Sequence, residues 1–98
     1  MRIRFLRTAA VELDRALTYV HEQDPAAAKR MAHAIASTLD WIARWPEASR
    51  ELSGTDIRTT LVPRYQYRIF YKVIGDEVVV RNIRSTRQQR PGERGRTG

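Results

Sequence analysis

The sequence contains no cysteine and no long apolar run, and each absence excludes a class of protein. Without cysteine, neither a disulfide scaffold nor a cysteine-ligated metal site can form. No apolar stretch approaches the roughly 20 residues of a membrane-spanning helix. The N-terminal MRIRFLRTAA carries charge but lacks the apolar segment of a signal peptide. We therefore expect a cytoplasmic protein without a membrane partner.

Conventional active-site signatures are also missing. His21 and His33 have no carboxylate or second ligand at metal spacing, so both are predicted to face solvent. Glu12 and Asp14 lie too close in sequence, and point too differently, to act as a catalytic carboxylate pair. The sequence has no glycine-rich phosphate loop. We expect no metal, no cofactor and no small-molecule substrate.

The chain does have an excess of positive charge, and that excess is concentrated near its C-terminal end. The formal net charge is +7, and residues 81–98 contain six arginines against one acid, Glu93. Such a field favours nucleic acid, an anionic ribonucleoprotein or an acidic protein partner. A solvated basic tail is the simpler alternative.

Two consecutive helices are predicted between residues 8 and 46. Thr8 is the expected cap of the first, which ends near Gln23 and turns Glu12 outward. Asp24 and Pro25 start the second, because Asp caps a helix and Pro tolerates its first position. Each helix carries an apolar stripe: Leu13, Ala16, Leu17 and Val20 in the first, and Ala28, Ala32, Ile35, Leu39 and Ile42 in the second. Joined by a short link, the two form a helical hairpin.

The remaining pattern predicts strands. MRIRF alternates as a short strand, residues 46–56 are typical of a loop, and residues 57–62 are β-rich. YRIFYKVIGDEVVVRNIR, residues 67–84, predicts a β-hairpin with Gly75-Asp76 as its turn. The predicted fold is α+β in the order β-α-α-β-β-β, with the helical hairpin on one face of a small, mainly antiparallel sheet. Residues 1–87 form one domain, and residues 88–98 form a basic tail predicted to be disordered, because it has no apolar residue to bury.

The hairpin should present two different faces. The Gly75-Asp76 turn pairs Tyr67 with Arg84 at the far end, and side chains alternate between the faces. The face expected against the helices holds Tyr67, Ile69, Tyr71, Val73, Val78, Val80, Asn82 and Arg84. The other holds Arg68, Phe70, Lys72, Ile74, Glu77, Val79, Arg81 and Ile83. Because it mixes aliphatic and basic side chains, we interpret this second face as a docking surface, with a solvated face as the alternative. A one-residue slip would exchange the faces of one strand.

The arginines are the remaining candidates for chemistry. Clusters of arginine bind phosphate and can stabilise the transition state of phosphoryl transfer, and the candidates are Arg58, Arg68, Arg87 and Arg90. Cleavage of RNA also calls for a group that moves a proton. Only Tyr65 and Tyr67 are nearby titratable rings. On residue chemistry alone, binding is favoured over catalysis.

Several of these features together resemble the RelE/ParE superfamily of bacterial toxins. They are the helix pair with Asp24-Pro25-Ala26-Ala27, the stop at Pro46, Arg58, and YRIFYKV followed by VVVRNIRSTRQQRP. The resemblance covers residues 1 to about 91. Members are the toxic halves of type II toxin–antitoxin modules, which inhibit growth and stabilise plasmids. The resemblance therefore implies a cognate antitoxin, which should be acidic to match the net charge of +7.

The superfamily divides by target. RelE-type members cut mRNA in the ribosome, whereas ParE-type members inhibit DNA gyrase. Arg68 falls at the position of a RelE catalytic arginine, but Gln88 follows Arg87 where a basic pair is expected, and no Tyr or His follows Tyr71. The long second helix, the PEASR loop and the R-x-x-R-P ending favour ParE, although Ser85 stands where many ParE proteins have histidine.

The resemblance thus favours a gyrase inhibitor with no catalytic residue of its own. A ribosome-dependent mRNA endonuclease using Arg58, Arg68 and Arg87 is one alternative, and a non-toxic basic binding module is the other. The residues expected to bind the target or the antitoxin are Arg68, Phe70, Lys72, Arg81, Arg84, Arg87, Arg90 and Trp45. For Trp41, more than for Trp45, core packing against the PEASR loop is the alternative.

Overall fold

The computed structural model describes residues 1–86, in which two helices pack against a five-stranded sheet. The elements are β1 (Arg2–Phe5), α1 (Arg7–Gln23), α2 (Pro25–Arg44), β2 (Arg50–Glu51), β3 (Arg58–Val62), β4 (Tyr67–Ile74) and β5 (Glu77–Ser85). The strand order is β1-β5-β4-β3-β2, with β1 parallel to β5 and all other neighbours antiparallel. The predicted α+β fold is confirmed. The short β2 adds a strand within residues 46–56, which were predicted to be loop, and the predicted tail at 88–98 lies outside the described residues.

Asp24 makes the tight link between the two helices. Its side chain accepts hydrogen bonds from the backbone N–H groups of Ala26 at 3.1 Å and Ala27 at 3.3 Å. Pro25 follows in the first turn of α2, where its missing N–H has no intrahelical partner to lose. The predicted start of α2 is therefore confirmed, and the sharp link lets the two helices return antiparallel to one another.

The other helix ends are set differently. Thr8 is not the cap of α1, because the helix already begins at Arg7. Leu6 occupies the N-cap position without a side-chain hydrogen bond. Leu6 donates its backbone N–H to the Val80 carbonyl at 2.9 Å, so the sheet, rather than a capping side chain, fixes this helix start. At the other end, α2 stops at Arg44. Pro46 follows shortly after and prevents the helix from continuing, because a proline interrupts helical hydrogen bonding.

The hydrophobic core lies between the helices and one face of the sheet. It is built from Ala9, Ala16, Met31, Ile35, Ile42, Val62, Ile69, Tyr71, Val78, Val80 and Ile83. All residues of the two predicted helical stripes are buried or half-buried, whereas Met31 and Ala9 are buried without having been predicted. Thr38 is also buried, and its hydroxyl is satisfied because it donates to the Ala34 carbonyl at 2.8 Å. Each large apolar side chain in this core contributes roughly 1.5–3 kcal/mol by its burial.

The β4–β5 hairpin follows the prediction near its turn and departs from it beyond residue 80. Gly75 has a φ of 61°, which suits glycine, and Tyr71 pairs with Val80 as predicted. Phe70 then pairs with Asn82, so Arg81 is an extra residue in a β-bulge. The predicted pairing of Tyr67 with Arg84 is wrong, because the bulge shifts the partner of Tyr67 to Ser85.

The bulge also reverses the faces of the last part of β5. Ile83, predicted to point away from the helices, pairs with Ile69 and belongs to the core. Asn82 was predicted on the helix side, but the register places it beside Phe70 on the opposite face. Arg84 was likewise predicted on the helix side and pairs instead with Arg68. One extra residue has this effect because side chains alternate with a period of two.

Within residues 1–86, neither helix combines the length and apolar character that crossing a membrane would require.

Candidate functional site

The sheet has an outer face, turned away from the helices, that carries the mixed apolar and basic surface predicted from the hairpin. The strand register assigns to this outer face Arg2, Arg4, Arg50, Thr59, Leu61, Arg68, Phe70, Lys72, Ile74, Glu77, Val79, Asn82 and Arg84. Glu77 is the only acid in that set. Val79 is nevertheless buried, and across the sheet it lies between Arg4 and Lys72. Long basic side chains can cover an aliphatic residue with their methylene stems, which explains how Val79 is buried on an open face.

Arg68 lies on the outer face near the start of β4, the middle strand of the sheet. It is half-buried, and its guanidinium donates one hydrogen bond, at 3.4 Å, to the hydroxyl of Thr59 on β3. Its cross-strand neighbours are Leu61 and Arg84. Across residues 1–86, Arg68 forms no ion pair. The sheet therefore holds a positive charge that no acid of the described part of the chain neutralises by an ion pair. Phe70, two residues along the same strand, adds an aromatic ring beside it.

Several other basic residues of the outer face have acidic partners. Lys72 contacts Asp56 at 3.4 Å, between its ammonium nitrogen and a carboxylate oxygen. Arg2 and Arg4 both contact Glu77, at 3.3 and 3.0 Å. These pairs are partly or largely exposed and contribute little to stability, about 0–1 kcal/mol each. Their effect is to lower the positive potential near the turn of the β4–β5 hairpin, whereas Arg68, at the other end of β4, keeps its charge.

Arg58 does not join Arg68. It pairs with Tyr71 across β3 and β4, which places it on the helix side of the sheet. One guanidinium nitrogen of Arg58 donates to the backbone carbonyls of Glu47 at 3.2 Å and Ser49 at 2.8 Å. Arg58 therefore anchors the segment that follows α2. The arginine cluster considered for phosphoryl transfer is not assembled from Arg58 and Arg68, because alternation along the strands puts them on opposite faces.

The tyrosines of the sheet do not supply a proton acceptor to Arg68 either. Tyr67 and Tyr71 belong to the helix side. Burial raises the pKa of Tyr71, and the nearby Ser49 side chain and the charge of Arg58 offset this only in part. Burial, with a smaller contribution from Tyr19, raises the pKa of Tyr67. Both phenols are protonated at neutral pH, and the hydroxyl of Tyr71 donates to the Pro46 carbonyl at 2.7 Å, a structural hydrogen bond.

Tyr65, the other ring considered for proton transfer, lies in the turn between β3 and β4, where it is half-buried against the core. It also lines an open groove of about 880 Å³ between α2 and β3, together with Ala34, Thr38, Trp41, Thr60, Leu61 and Pro63. Trp41 is 42% exposed and Leu61 45% exposed, so the interpretation of Trp41 as a core residue is wrong. Trp45 is 56% exposed at the end of α2.

The groove borders an incomplete edge of the sheet. β2 pairs only with Arg58 and Thr59, so among the described strands none pairs with the rest of β3 on that side. Exposed apolar side chains beside unpaired strand groups form a surface that another chain can cover.

Glu12 is the residue that sequence reasoning missed. It was predicted to point outward from α1, but it is half-buried and its carboxylate contacts Asn82, Ile83 and Arg84 at the end of β5. Its partners are about 70 residues away in the sequence, so no local pattern could have indicated the contact. Arg81, a predicted binding residue, is half-buried in the bulge, and Arg87 and Arg90 lie outside the described residues.

Comparison with known proteins adds three findings. The family described as "ParE toxin of type II toxin-antitoxin system, parDE" matches residues 3–90. A solved structure titled "Chromosomal ParDE TA system from P. aeruginosa" is similar over 87% of this chain and 95% of that chain, with a TM-score of 0.75 and 20% sequence identity. The "intact E. coli RelBE toxin-antitoxin complex" is similar over 86% and 94%, with a TM-score of 0.61 and 22% identity. At these identities the two structural matches show the fold alone. No curated protein sequence matches the chain.

Proposed function

Because the chain belongs to the ParE family of toxins of type II toxin–antitoxin systems, we propose that it inhibits DNA gyrase and is neutralised by a cognate acidic antitoxin. The toxin class follows from the family. The choice of gyrase over the ribosome rests on the surroundings of Arg68, and the choice of antitoxin surface rests on the groove beside α2.

The observation that carries the gyrase proposal is that, within residues 1–86, the direct neighbours of Arg68 on the sheet include no group that could transfer a proton. Across the neighbouring strands Arg68 faces Leu61 and Arg84, and its own hydrogen bond goes to Thr59. None of these groups can accept the proton of a ribose hydroxyl at neutral pH. Of the acids near this surface, Glu77 contacts Arg2 and Arg4, and the Glu12 carboxylate contacts Arg84 and the end of β5. Such a surface favours binding to a target over cleavage of RNA.

The proposed contact with the target combines charge with an aromatic ring. Arginine and aromatic side chains are enriched at the centres of protein interfaces, where a few residues contribute most of the affinity. Arg68 and Phe70 have this character on the outer face. We assign the surrounding positive groups, Lys72, Arg81 and Arg84, to the rim of the same contact, where charge mainly accelerates association. Arg87 and Arg90, which lie outside the described residues, are proposed to bind the target as well.

We assign the antitoxin to the groove between α2 and β3. One solved structure of similar fold is titled as a ParDE TA system and the other as a RelBE toxin-antitoxin complex. In this chain the groove offers exposed Trp41 and Leu61, with Trp45 nearby at the end of α2. Basic residues Lys29, Arg30 and Arg64 also line it, so an acidic segment with apolar anchors is the partner that fits.

The direct test is a supercoiling assay with purified gyrase. We expect the protein to inhibit supercoiling and the antitoxin to restore it. Arg68→Ala and Phe70→Ala should each weaken inhibition by about tenfold or more, the effect of losing about 1.4 kcal/mol or more at an interface centre. Arg44→Ala is the matched control, because Arg44 is an exposed arginine on α2 whose partner is Asp40. Unchanged supercoiling at micromolar wild-type protein would contradict the proposal.

The second candidate function, a ribosome-dependent mRNA endonuclease, is favoured by one observation. Arg68 keeps the Tyr-Arg-aliphatic context of a RelE catalytic arginine, and the strand holds it on an accessible face. Toeprinting on translating ribosomes separates the two functions: codon-specific cuts that disappear in Arg68→Ala would establish the endonuclease and exclude a purely gyrase-directed toxin. Normal growth on expression without the antitoxin would favour the non-toxic binding module instead.

A further inference from the structure

β5 extends well beyond the strand that covers its edge. The last pair between β1 and β5 is Phe5 with Val80, and the chain then turns into α1. β5 continues beyond that pair, so on the side away from β4 residues 81–84 have no strand partner among the described residues. Unpaired backbone N–H groups at a partly buried edge cost free energy unless another group accepts their hydrogen bonds.

Glu12 supplies that acceptor from α1. One carboxylate oxygen accepts from the backbone N–H of Ile83 at 2.8 Å and from the side-chain amide of Asn82 at 3.3 Å. The other accepts from the same amide at 3.4 Å and from the Arg84 guanidinium at 3.3 Å. A single side chain thus contacts three consecutive residues of β5. It accepts the backbone hydrogen bond of Ile83 that a neighbouring strand would otherwise accept.

The contact with Arg84 has a consequence for Arg68. The two arginines are directly opposite each other on β4 and β5. Like charges in that arrangement destabilise a sheet and push the side chains apart. The carboxylate of Glu12 neutralises Arg84 from the edge, with the carboxylate side chain 24% exposed and the Arg84 side chain 50% exposed. Arg68 can then keep its position over Thr59 without an adjacent uncompensated charge.

We propose that Glu12 is a positioning residue for the basic surface: its carboxylate fixes the end of β5 and compensates Arg84, so that Arg68 is presented to the target in one orientation. Thr86, which follows β5, donates its backbone N–H to the Gln66 carbonyl at 2.8 Å. The end of β5 is therefore held from α1 on one side and from β4 and the turn before it on the other. The role of Glu12 in target binding rests on the proposed function, whereas its role in holding β5 does not.

The test compares Glu12→Gln and Glu12→Ala with Glu22→Gln. Gln at position 12 keeps a carbonyl acceptor for the Ile83 N–H but cannot neutralise Arg84. Ala removes both interactions. Glu22 is an exposed acid on the same helix, so Glu22→Gln makes the same change in net charge away from β5. All comparisons are made at a temperature where circular dichroism shows each variant to be fully folded.

Two measurements are made on the protein alone by NMR: hydrogen exchange of the Ile83 amide, and the resonances of the Arg68 and Arg84 side-chain Nε–H groups. We expect Glu12→Ala to accelerate exchange at Ile83 by about tenfold or more, as expected for the loss of a hydrogen bond to a charged group. We expect Glu12→Gln to retain most of the protection at Ile83 but to shift both arginine resonances, and Glu22→Gln to change neither. Unchanged exchange in Glu12→Ala would overturn the role of Glu12 at the strand edge.

The third measurement is inhibition of gyrase. We expect Glu12→Gln to inhibit about tenfold less well than wild type although it is folded and its Ile83 amide is protected, a result that a merely structural role would not give. Equal loss in Glu12→Gln and Glu22→Gln, or wild-type inhibition by Glu12→Gln, would overturn the positioning of Arg68. If wild-type protein does not inhibit gyrase at all, the proposed function fails, and the NMR comparison still decides whether Glu12 holds β5.

Discussion

Tyr71, taken as a single residue, stabilises the fold and is not part of a binding surface, although it lies on the strand that carries the predicted docking face. Its ring is part of the core and its hydroxyl donates to the Pro46 carbonyl at 2.7 Å. Arg58 lies beside it and holds the carbonyl of Ser49 at 2.8 Å. Arg58 and Arg68 are the same residue type on neighbouring strands, and Tyr71 lies on the same strand as Arg68. Residue type alone therefore could not separate anchoring groups from exposed ones.

The raised pKa values of Tyr67 and Tyr71 predict a loss of stability at high pH. Burial is the main cause for both Tyr67 and Tyr71. Because the pKa is higher in the folded state than in the unfolded state, the native protein binds the phenolic proton more tightly. The resulting stability is fully present below about pH 10, the ordinary tyrosine pKa, and is lost as pH rises through the folded-state pKa.

Urea unfolding between pH 8 and pH 11.5 measures this effect. The free energy of unfolding of the wild type should fall across the upper part of that range, and Tyr67→Phe with Tyr71→Phe in one chain should remove most of the fall. Tyr71→Phe should also lower stability at every pH by about 1 kcal/mol through the lost hydrogen bond to Pro46. An unchanged slope in the double variant would show that other groups cause the alkaline loss.

At the scale of elements, β3 and β4 separate the two arginines that the sequence analysis had grouped together. Their register puts Arg58 on the helix side and Arg68 on the outer face. We therefore expect reciprocal effects. Arg58→Ala should lower the free energy of unfolding by about 2 kcal/mol, because two backbone carbonyls lose a charged donor, and should leave gyrase inhibition by the folded protein near wild type.

Arg68→Ala should do the opposite, with stability changed by less than about 0.5 kcal/mol, as is usual for substitutions outside the core, and inhibition strongly reduced. Thermal unfolding and the supercoiling assay are carried out on the same preparations of the two variants. If both variants lost inhibition to the same extent while remaining folded, the separation of the two faces would not explain function.

The hairpin shows which features of an element can be predicted. The Gly75-Asp76 turn and the pairing next to it follow from local chemistry, since the two residues suit a tight turn and pairing starts from it. The bulge at Arg81 does not. The bulge depends on the burial of Ile83 in the core and on β1, which pairs with only the first part of β5. In both cases the contacts come from segments far away in the sequence.

At the scale of the whole molecule, the net charge of +7 should govern how fast the protein finds an acidic antitoxin. Charges that remain exposed on the outer face and around the groove attract a partner of opposite sign before contact is made. We expect the association rate constant, measured by stopped-flow fluorescence of the exposed Trp41 and Trp45, to fall about tenfold between 0.05 and 0.5 M NaCl.

The dissociation rate constant should change much less over the same range, because apolar contacts in the groove are not screened by salt. Trp41→Ala provides the matched variant, read out through Trp45: it should raise the dissociation rate constant and leave the salt dependence of association unchanged. An association rate that is independent of salt would show that the net charge has no part in recognition.

The sequence by itself determined the α+β class, both helices, the Asp24 link and the hairpin turn. These features depend on periodicity, capping and turn chemistry, which act over a few residues. It also placed the chain in its superfamily, because Y-R-I-F-Y-K-V and the strand after it form a specific pattern. Only the tertiary structure decided which face each charged residue occupies. That choice depends on a bulge, on where β1 ends and on the carboxylate of Glu12, all of which act between segments that meet only when the chain is folded.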